Sequence, residues 1–330
     1  MNFKKNFKEN LFKITSQNFV EEALNLFFYQ AKHNKIYQEY LHLLHFNTTK
    51  VSKIEDIPFL PIELFKHHTV STGYFEPERV FESSGTTGQT RSRHYVAEVS
   101  FYHRLSKKIF EQFYGNLQDY HILALLPSYL ERNHASLVEM VAYFIAESQS
   151  SFSGFYLDDF SKLHDTLLHL QEKADRKILL LGVTFGLLDF AEQFPMDLSA
   201  ITLMETGGMK GRRKELLRSE VHLMLKEAFQ VKEVHSEYGM TELLSQAYSI
   251  KEEIFETPPW MRIYLRELRD PFCIDNQQRS GAINIIDLAN IDSCAFIATQ
   301  DIGTWESEGR FKVLGRTDVS EIRGCNLMVW

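Results

Sequence analysis

Cysteine is scarce in this chain of 330 residues: Cys273, Cys294 and Cys325 are the only three. An odd number at wide spacing argues against a disulfide framework, and no C-x-x-C pair offers a zinc site. Such usage suits a reducing cytoplasm, the expected location. Positive charge is also short, since 36 Lys and Arg against 44 Asp and Glu leave a formal net charge of -8. Nucleic-acid binding needs a basic footprint, so no nucleic acid is expected as a partner. Long apolar runs are missing. The most hydrophobic stretch, 178–188, is interrupted by Gly182 and Gly186 and falls short of the roughly 20 residues that span a bilayer. Lys4, Lys5 and Lys8 lead into polar Thr15, Ser16 and Gln17, which argues against a secretory signal. No repeat, low-complexity tract or linker is visible. At 44% hydrophobic and 24% charged, the composition is that of an ordinary globular protein with a sizeable core.

Apolar residues three and four apart predict two helices over 19–44, separated near His33-Asn34. Pro58 and Pro61 keep 57–61 out of any helix, and a short helix can begin at Glu63. Further on, the pattern alternates. Helix is expected over 99–113, strand over 121–126, strand over 177–183, helix over 187–194, strand over 200–204, helix over 213–229, strand over 231–235 and helix over 243–248. Strands alternating with helices imply a mostly parallel sheet covered on both faces, with ligands at the carboxyl ends of its strands. Beyond 250 the runs 261–268, 282–288, 295–299 and 311–314 are short and strand-like, which implies a smaller antiparallel β subdomain. The expected organisation is one large domain: a helical region 1–70, an α/β core 71–250 and a β-rich part 251–330.

Four clusters carry chemistry. Ser83-Ser84-Gly85-Thr86-Thr87-Gly88, with Arg91 and Arg93 after it, joins hydroxyl donors to residues whose bare backbone can approach an anion. The Lys-Ser or Lys-Thr pair of a P-loop is absent. Taken alone, the stretch reads as a flexible Ser/Gly/Thr turn before it reads as a phosphate cradle. Tyr238-Gly239-Met240-Thr241-Glu242 opens the expected helix 243–248, so Thr241 and Glu242 read either as phosphate and magnesium contacts or as an N-cap and a first-turn acid. Asp301 reads as a ribose-binding carboxylate or as an ordinary Asp-x-Gly turn after a strand. Arg316, in Gly315-Arg316-Thr317-Asp318, reads as part of the same site or as a salt-bridged turn just past the last strand.

Taken together, Ser83–Gly88, Thr206-Gly207-Gly208, Tyr238–Glu242, Asp301 and Gly315–Asp318 resemble the adenylate-forming enzymes in order and spacing. Within that superfamily the chain looks most like the acyl-protein synthetases, the fatty-acid ligases of bacterial luciferase systems, and like relatives of phenylacetate-CoA ligase. Residues 57–66 and 126–132 support that branch, and the resemblance covers essentially the whole chain. It implies the α/β N-terminal domain of that superfamily, MgATP as cofactor, and activation of a carboxylic acid, expected to be fatty, as an acyl-adenylate. A thiol then takes the acyl group. By matching motif, Ser83, Ser84, Gly85, Thr86, Thr87 and Gly88 would hold the outgoing phosphates, and Gly207, Gly208, Tyr238 and Gly239 would border the adenine. Thr241 would meet the α-phosphate, Glu242 the magnesium, and Asp301 with Arg316 the ribose. His134 borders the acyl carboxylate or is an ordinary surface histidine.

Two departures stand out. Arg91 and Arg93 occupy the place of the lysine that usually follows the Thr/Gly loop. Most members also continue past the Gly-Arg-x-Asp hinge into a small domain of about a hundred residues carrying a second catalytic lysine, which is expected to be lacking here. The resemblance makes Cys325 a candidate acyl carrier, with Arg323 able to stabilise its thiolate; the alternative is a buried structural cysteine. Three functions compete: an acyl-protein synthetase that passes its acyl group to a partner such as an acyl-CoA reductase-like protein, a ligase using CoA or a carrier-protein thiol, and a nucleotide- or acyl-binding protein without catalysis. The 26 Phe suit an acyl-binding surface or simply a large core.

Overall fold

The computed structural model describes residues 3–83, 90–127, 134–207, 216–274, 279–307 and 309–316. The chain forms two compact units, one made of residues up to Tyr74 together with those from Pro259 on, the other of Phe75–Pro258.

In the Phe75–Pro258 unit the expected parallel sheet is present. Strands Gly154–Phe155, Tyr120–Leu125, Lys177–Gly182, Thr202–Glu205 and His235–Tyr238 lie side by side in that order, all parallel. Ala247–Ser249 and Phe255–Glu256 follow, each antiparallel to its predecessor. The central strands are continuous apolar runs because both faces are covered. On one face Leu123, Leu125, Ile178, Leu180 and Leu203 pack with Leu163, Leu167, Leu187, Phe190, Leu225 and Phe229 of helices Phe160–Lys173, Thr184–Gln193 and Arg218–Phe229. On the other, Phe110 of helix Val99–Tyr114 lies with its ring centroid 5.7 Å from Tyr120 and 5.1 Å from Phe144 of helix Ser136–Ser148. Each fully buried Leu or Phe contributes about 1.5–3 kcal/mol, so the two layers fix where the strands end. A separate hairpin, Arg79–Glu82 against Arg93–Val96, carries the Ser/Gly/Thr stretch between its strands.

One expectation fails in an informative way. Residues 243–248 are not a helix: the chain turns after Tyr238 and returns as strand Ala247–Ser249, with Glu237 opposite Tyr248. Leu243, Leu244, Ala247 and Tyr248 are spaced as a helical stripe would be, yet all are buried because the returning strand is enclosed on both sides. The strand expected at 231–235 lies later, at His235–Tyr238.

The other unit holds helices Phe3–Asn10, Phe19–His33, Lys35–Leu43 and Leu64–His67. The break at Asn34 has a clear cause: its side chain accepts the Tyr37 N–H at 3.0 Å, capping the second helix of the pair, while its amide donates to Ser293 O at 2.8 Å. Lys4 and Lys8 both reach Asp292, at 2.8 and 2.7 Å. The antiparallel sheet runs Met261–Arg266, Ser280–Asp287, Phe296–Ser307, Arg310–Arg316, with Leu60–Pro61 pairing in parallel to Phe296–Ser307. Asp301 therefore lies inside a strand rather than in a turn after one. Gly303 is the reason the motif misleads: a Cβ there would stand 2.8 Å from Ile283 Cδ1 and 2.9 Å from Lys312 O, so glycine serves close strand approach at a register shift. Arg316 is the final residue of its strand, not a residue beyond it.

Candidate active site

Three parallel strands of the Phe75–Pro258 unit end in polar residues: Gly182 leads to Thr184, Glu205 to Thr206 and Gly207, and Tyr238 to Gly239, Thr241 and Glu242. Placement at carboxyl ends of a parallel sheet is where ligands of open α/β folds gather. Backbone bonds stitch these ends together, Thr206 N–H to Gly182 O at 3.0 Å and Thr184 N–H to Gly207 O at 3.2 Å.

Glu205 organises the first layer and was not singled out by any motif. It is 2% exposed. Its Oε2 accepts the Thr184 hydroxyl and the Gly207 N–H, both at 3.1 Å, which sets the direction of the loop carrying Gly207. Arg218 Nε pairs with its Oε1 at 3.0 Å, and His222 Nε2 is 3.7 Å from the same oxygen. The Arg218 N–H is not aligned for a hydrogen bond, and its Nη1 is buried without a partner. Burial pushes the Glu205 carboxyl up, but Arg218, followed by His222 and Ser236, reverses this and holds it at about 2. Arg218 also lies over the Phe255 ring at 5.0 Å.

Glu237 is the second buried carboxyl, one strand over. Its Oε2 accepts the Thr206 hydroxyl. Burial raises its pKa to about 7; the Thr206 hydroxyl and Arg218 oppose the rise and Glu205 adds to it. Near pH 7 Glu205 is thus charged, whereas Glu237 is divided between its protonated and charged forms. A sequence signal exists for Glu205, an acid ending the apolar strand Thr202–Glu205 beside Thr-Gly-Gly; the strand of Glu237, His-Ser-Glu-Tyr, has no apolar run to mark it.

Tyr238, 7% exposed, closes its strand with its ring 5.8 Å from Phe255. Thr241 and Glu242 lie in the turn after it, not at a helix start, so neither the N-cap nor the first-turn reading holds. Glu242 is buried at 6% exposure. His94, from strand Arg93–Val96, has Nδ1 2.9 Å from the Thr241 carbonyl, which fixes that nitrogen as the donor. This bond brings the hairpin that bears the Ser/Gly/Thr stretch against the Thr241–Glu242 turn. The base of that stretch is closed by Ser83 N–H to Ser92 O at 3.1 Å and by Ser92 N–H to Ser83 Oγ at 3.0 Å. Arg91 Nη1 pairs with Glu82 Oε2 at 3.4 Å, and the Glu82 N–H donates to the His134 carbonyl at 2.7 Å. His134 thus braces the hairpin through its backbone, and the residue is exposed.

Asp301 and Arg316, in the other unit, stand opposite each other in register, with Arg316 Nε donating to Asp301 Oδ1 at 3.0 Å. The Asp301 side chain is 6% exposed and that of Arg316 50%, so a buried carboxylate is oriented by a half-open guanidinium. Ser84, Gly85, Thr86, Thr87, Gly88, Gly208 and Cys325 lie outside the described residues. Among the described residues no three His, Cys, Asp or Glu side chains converge as a metal site. A single buried carboxylate such as Glu242 suits a magnesium ion whose remaining ligands are phosphate oxygens and water. No helix among the described residues is long and apolar enough to cross a membrane.

No family model matches the sequence, and no curated protein matches it. Solved structures that resemble this one in part include the luciferase-like enzyme from the nonluminescent mealworm Zophobas morio, at 16% identity and TM-score 0.48 over 74% of this chain and 59% of that one. Another is O-succinylbenzoate coenzyme A synthetase from Bacillus subtilis in complex with AMP, at 18% identity and TM-score 0.47 over 72% and 49%. A third is a long-chain-fatty-acid-CoA ligase from Archaeoglobus fulgidus, at 13% identity and TM-score 0.46 over 74% and 52%. The chain spans about half to three-fifths of the length of these proteins.

Proposed function

We propose that this chain activates a carboxylic acid with ATP and passes the acyl group to a thiol. The observation that carries the reading is the gathering of motif residues within the Phe75–Pro258 unit. Gly207, Gly239, Thr241 and Glu242 follow neighbouring strands, Tyr238 ends one of them, and His94 holds the hairpin of Arg79–Glu82 and Arg93–Val96 to the Thr241 carbonyl. In the first step the acid's carboxylate oxygen bonds to the α-phosphorus, the bond to the β-phosphate oxygen breaks, and pyrophosphate leaves. In the second a thiolate attacks the acyl carbonyl and AMP leaves with the electron pair. Negative charge develops on phosphate oxygens in the first step, and preorganised donors at those positions stabilise it.

Each residue has an assigned task. Gly207, Gly208, Tyr238 and Gly239 border the adenine, Ser83 to Gly88 hold the departing phosphates with Arg91 supplying charge, and the Thr241 hydroxyl meets the α-phosphate. Glu242 would hold the magnesium, which when bound neutralises phosphate charge. The Asp301 carboxylate, oriented by Arg316, accepts vicinal ribose hydroxyls. A fatty acid is the proposed substrate and a protein thiol, reached through Cys325, the proposed acceptor. His134 braces the hairpin base through its backbone carbonyl, and its exposed side chain is assigned to the acyl carboxylate.

Hydroxylamine trapping tests the activation step. Acyl hydroxamate should form only with ATP, magnesium and acid together, and Glu242→Gln should reduce it severely. Absence of hydroxamate across a panel of acids would end this reading. Loss of hydroxylamine-labile fatty-acyl labelling in Cys325→Ser, with hydroxamate formation retained, is the result expected for the acyl-carrier role; unchanged labelling would remove Cys325 from it.

A further inference from the structure

Glu237 takes no part in the steps above, yet it touches both strand-end loops of the proposed nucleotide site. Its Oε2 accepts the hydroxyl of Thr206, on the loop that follows the neighbouring parallel strand. Its Oε1 lies directly beneath the turn after its own strand, only 2.4 Å from the place a Cβ on Gly239 would occupy. One side chain, 7% exposed as a residue, therefore spans the two loops. Its surroundings favour a carboxyl that keeps a proton to donate. Gln246 Oε1, an acceptor only, is buried without a partner, and the Gln246 Cγ is 3.5 Å from that same Gly239 position. Tyr248, directly opposite Glu237 in the ladder, has a buried hydroxyl that is also without a partner.

We infer that Glu237 is a positioning residue, a buried carboxyl that holds the Thr206–Gly207 loop and the Gly239–Glu242 turn in one fixed arrangement so that a nucleotide meets both preformed. The consequence for nucleotide rests on the proposed function; the tie between the loops does not. Groups of both signs act on this carboxyl: Glu205 on the neighbouring strand, Arg218 on helix Arg218–Phe229, Tyr102 and Tyr114 on helix Val99–Tyr114, and Tyr248 across the ladder. The tyrosines stay neutral at working pH, because burial raises their pKa values, so the balance is set by Glu205 against Arg218. A locally opened state would return Glu237 to its ordinary value near 4.5, so opening becomes easier as pH rises from there to about 7.

Hydrogen exchange on the ligand-free chain decides the tie. Wild type and Glu237→Gln, whose amide oxygen can still accept from Thr206, should both protect the segments 205–207 and 239–242 at pH 4.5, where the wild-type carboxyl is protonated. Glu237→Ala should expose both segments together by about tenfold or more, as loss of one buried hydrogen-bonded group permits. Between pH 5.5 and 8, protection corrected for intrinsic exchange should fall in wild type and stay level in Glu237→Gln. Thr206→Val, which deletes the same bond from the other side, supplies the answer where Glu237→Ala does not fold. Protection retained in both segments by the bond-deleting variant, or lost in only one, overturns the inference. In ATP–pyrophosphate exchange, Glu237→Ala should raise the KM for ATP about tenfold with the KM for acid nearly unchanged, and Glu237→Gln should restore it. A wild-type chain without ATP binding would sink the proposed function, and the exchange pattern would still decide whether Glu237 ties the loops.

Discussion

Replacing Gly239 with alanine places a methyl group where Glu237 Oε1 already sits. The built Cβ stands 2.4 Å from that oxygen and 3.5 Å from both Glu237 Cδ and Gln246 Cγ, against an ordinary contact distance of about 3.5–4.0 Å. The carboxyl cannot swing freely aside, because Thr206 holds its other oxygen and the side chain is enclosed. Overpacking of this kind costs about 1–3 kcal/mol. Urea unfolding followed by far-UV circular dichroism should therefore show Gly239→Ala destabilised by about 2 kcal/mol. Gly154, where an added Cβ meets nothing within 4 Å, is the control; its alanine variant should be neutral or gain up to about 1 kcal/mol. In a Glu237→Ala background the clash disappears, and Gly239→Ala should then cost under about 0.5 kcal/mol, a coupling near 1.5 kcal/mol. Equal cost in both backgrounds, or a Gly239→Ala variant as stable as wild type, would refute the contact on which this reasoning rests.

Other outcomes follow from the buried charges. Burial raises the Glu237 pKa from an ordinary 4.5 to about 7, so its contribution to stability is full below pH 4.5 and lost as pH rises to about 7. The loss is about 3 kcal/mol and should appear as a fall in the stability of wild type relative to Glu237→Gln across that window. Glu205 behaves in the opposite sense: held at about 2 by Arg218 against its burial, it loses its contribution as pH falls from 4.5 toward 2. Arg218→Met should cost about 3–5 kcal/mol by stranding the Glu205 charge, and the double variant Glu205→Met/Arg218→Met less. Asp301→Asn should change stability by under about 1 kcal/mol, because Arg316 is half-exposed. The same variant should raise the KM for ATP about tenfold or more, since a hydrogen bond to a charged acceptor is worth about 1.5–3 kcal/mol.

Much of the fold could be read from periodicity alone. The Phe19–His33 and Lys35–Leu43 helices, the strand Lys177–Gly182 and the helix Val99–Tyr114 follow directly from apolar spacing. Helices Ser136–Ser148 and Phe160–Lys173 are not among the expected elements, although in the second Leu163, Leu167 and Leu170 recur at four and three residues, all fully buried. Residues 243–248 misled because a strand buried on both faces has no alternation to distinguish it from a helical stripe. Asp301-Ile302-Gly303 misled because a glycine required by strand approach looks like a turn glycine. For the site, the motif residues were visible, but what holds them was not: Arg218 with Glu205, Thr184 with Glu205, Thr206 with Glu237 and His94 with Thr241 are contacts between residues far apart in sequence, up to 147 positions for the last. Nothing in local spacing reports such pairs.

Acid-dependent exchange of labelled pyrophosphate into ATP tests the central claim most directly, because it requires reversible acyl-adenylate formation and nothing beyond it. With magnesium present, label should enter ATP only when a suitable acid is added, fatty acids being the first to try, and Thr241→Val should slow it while leaving the fold intact. No exchange with any acid across a broad panel, by a folded chain that binds ATP, would contradict the account.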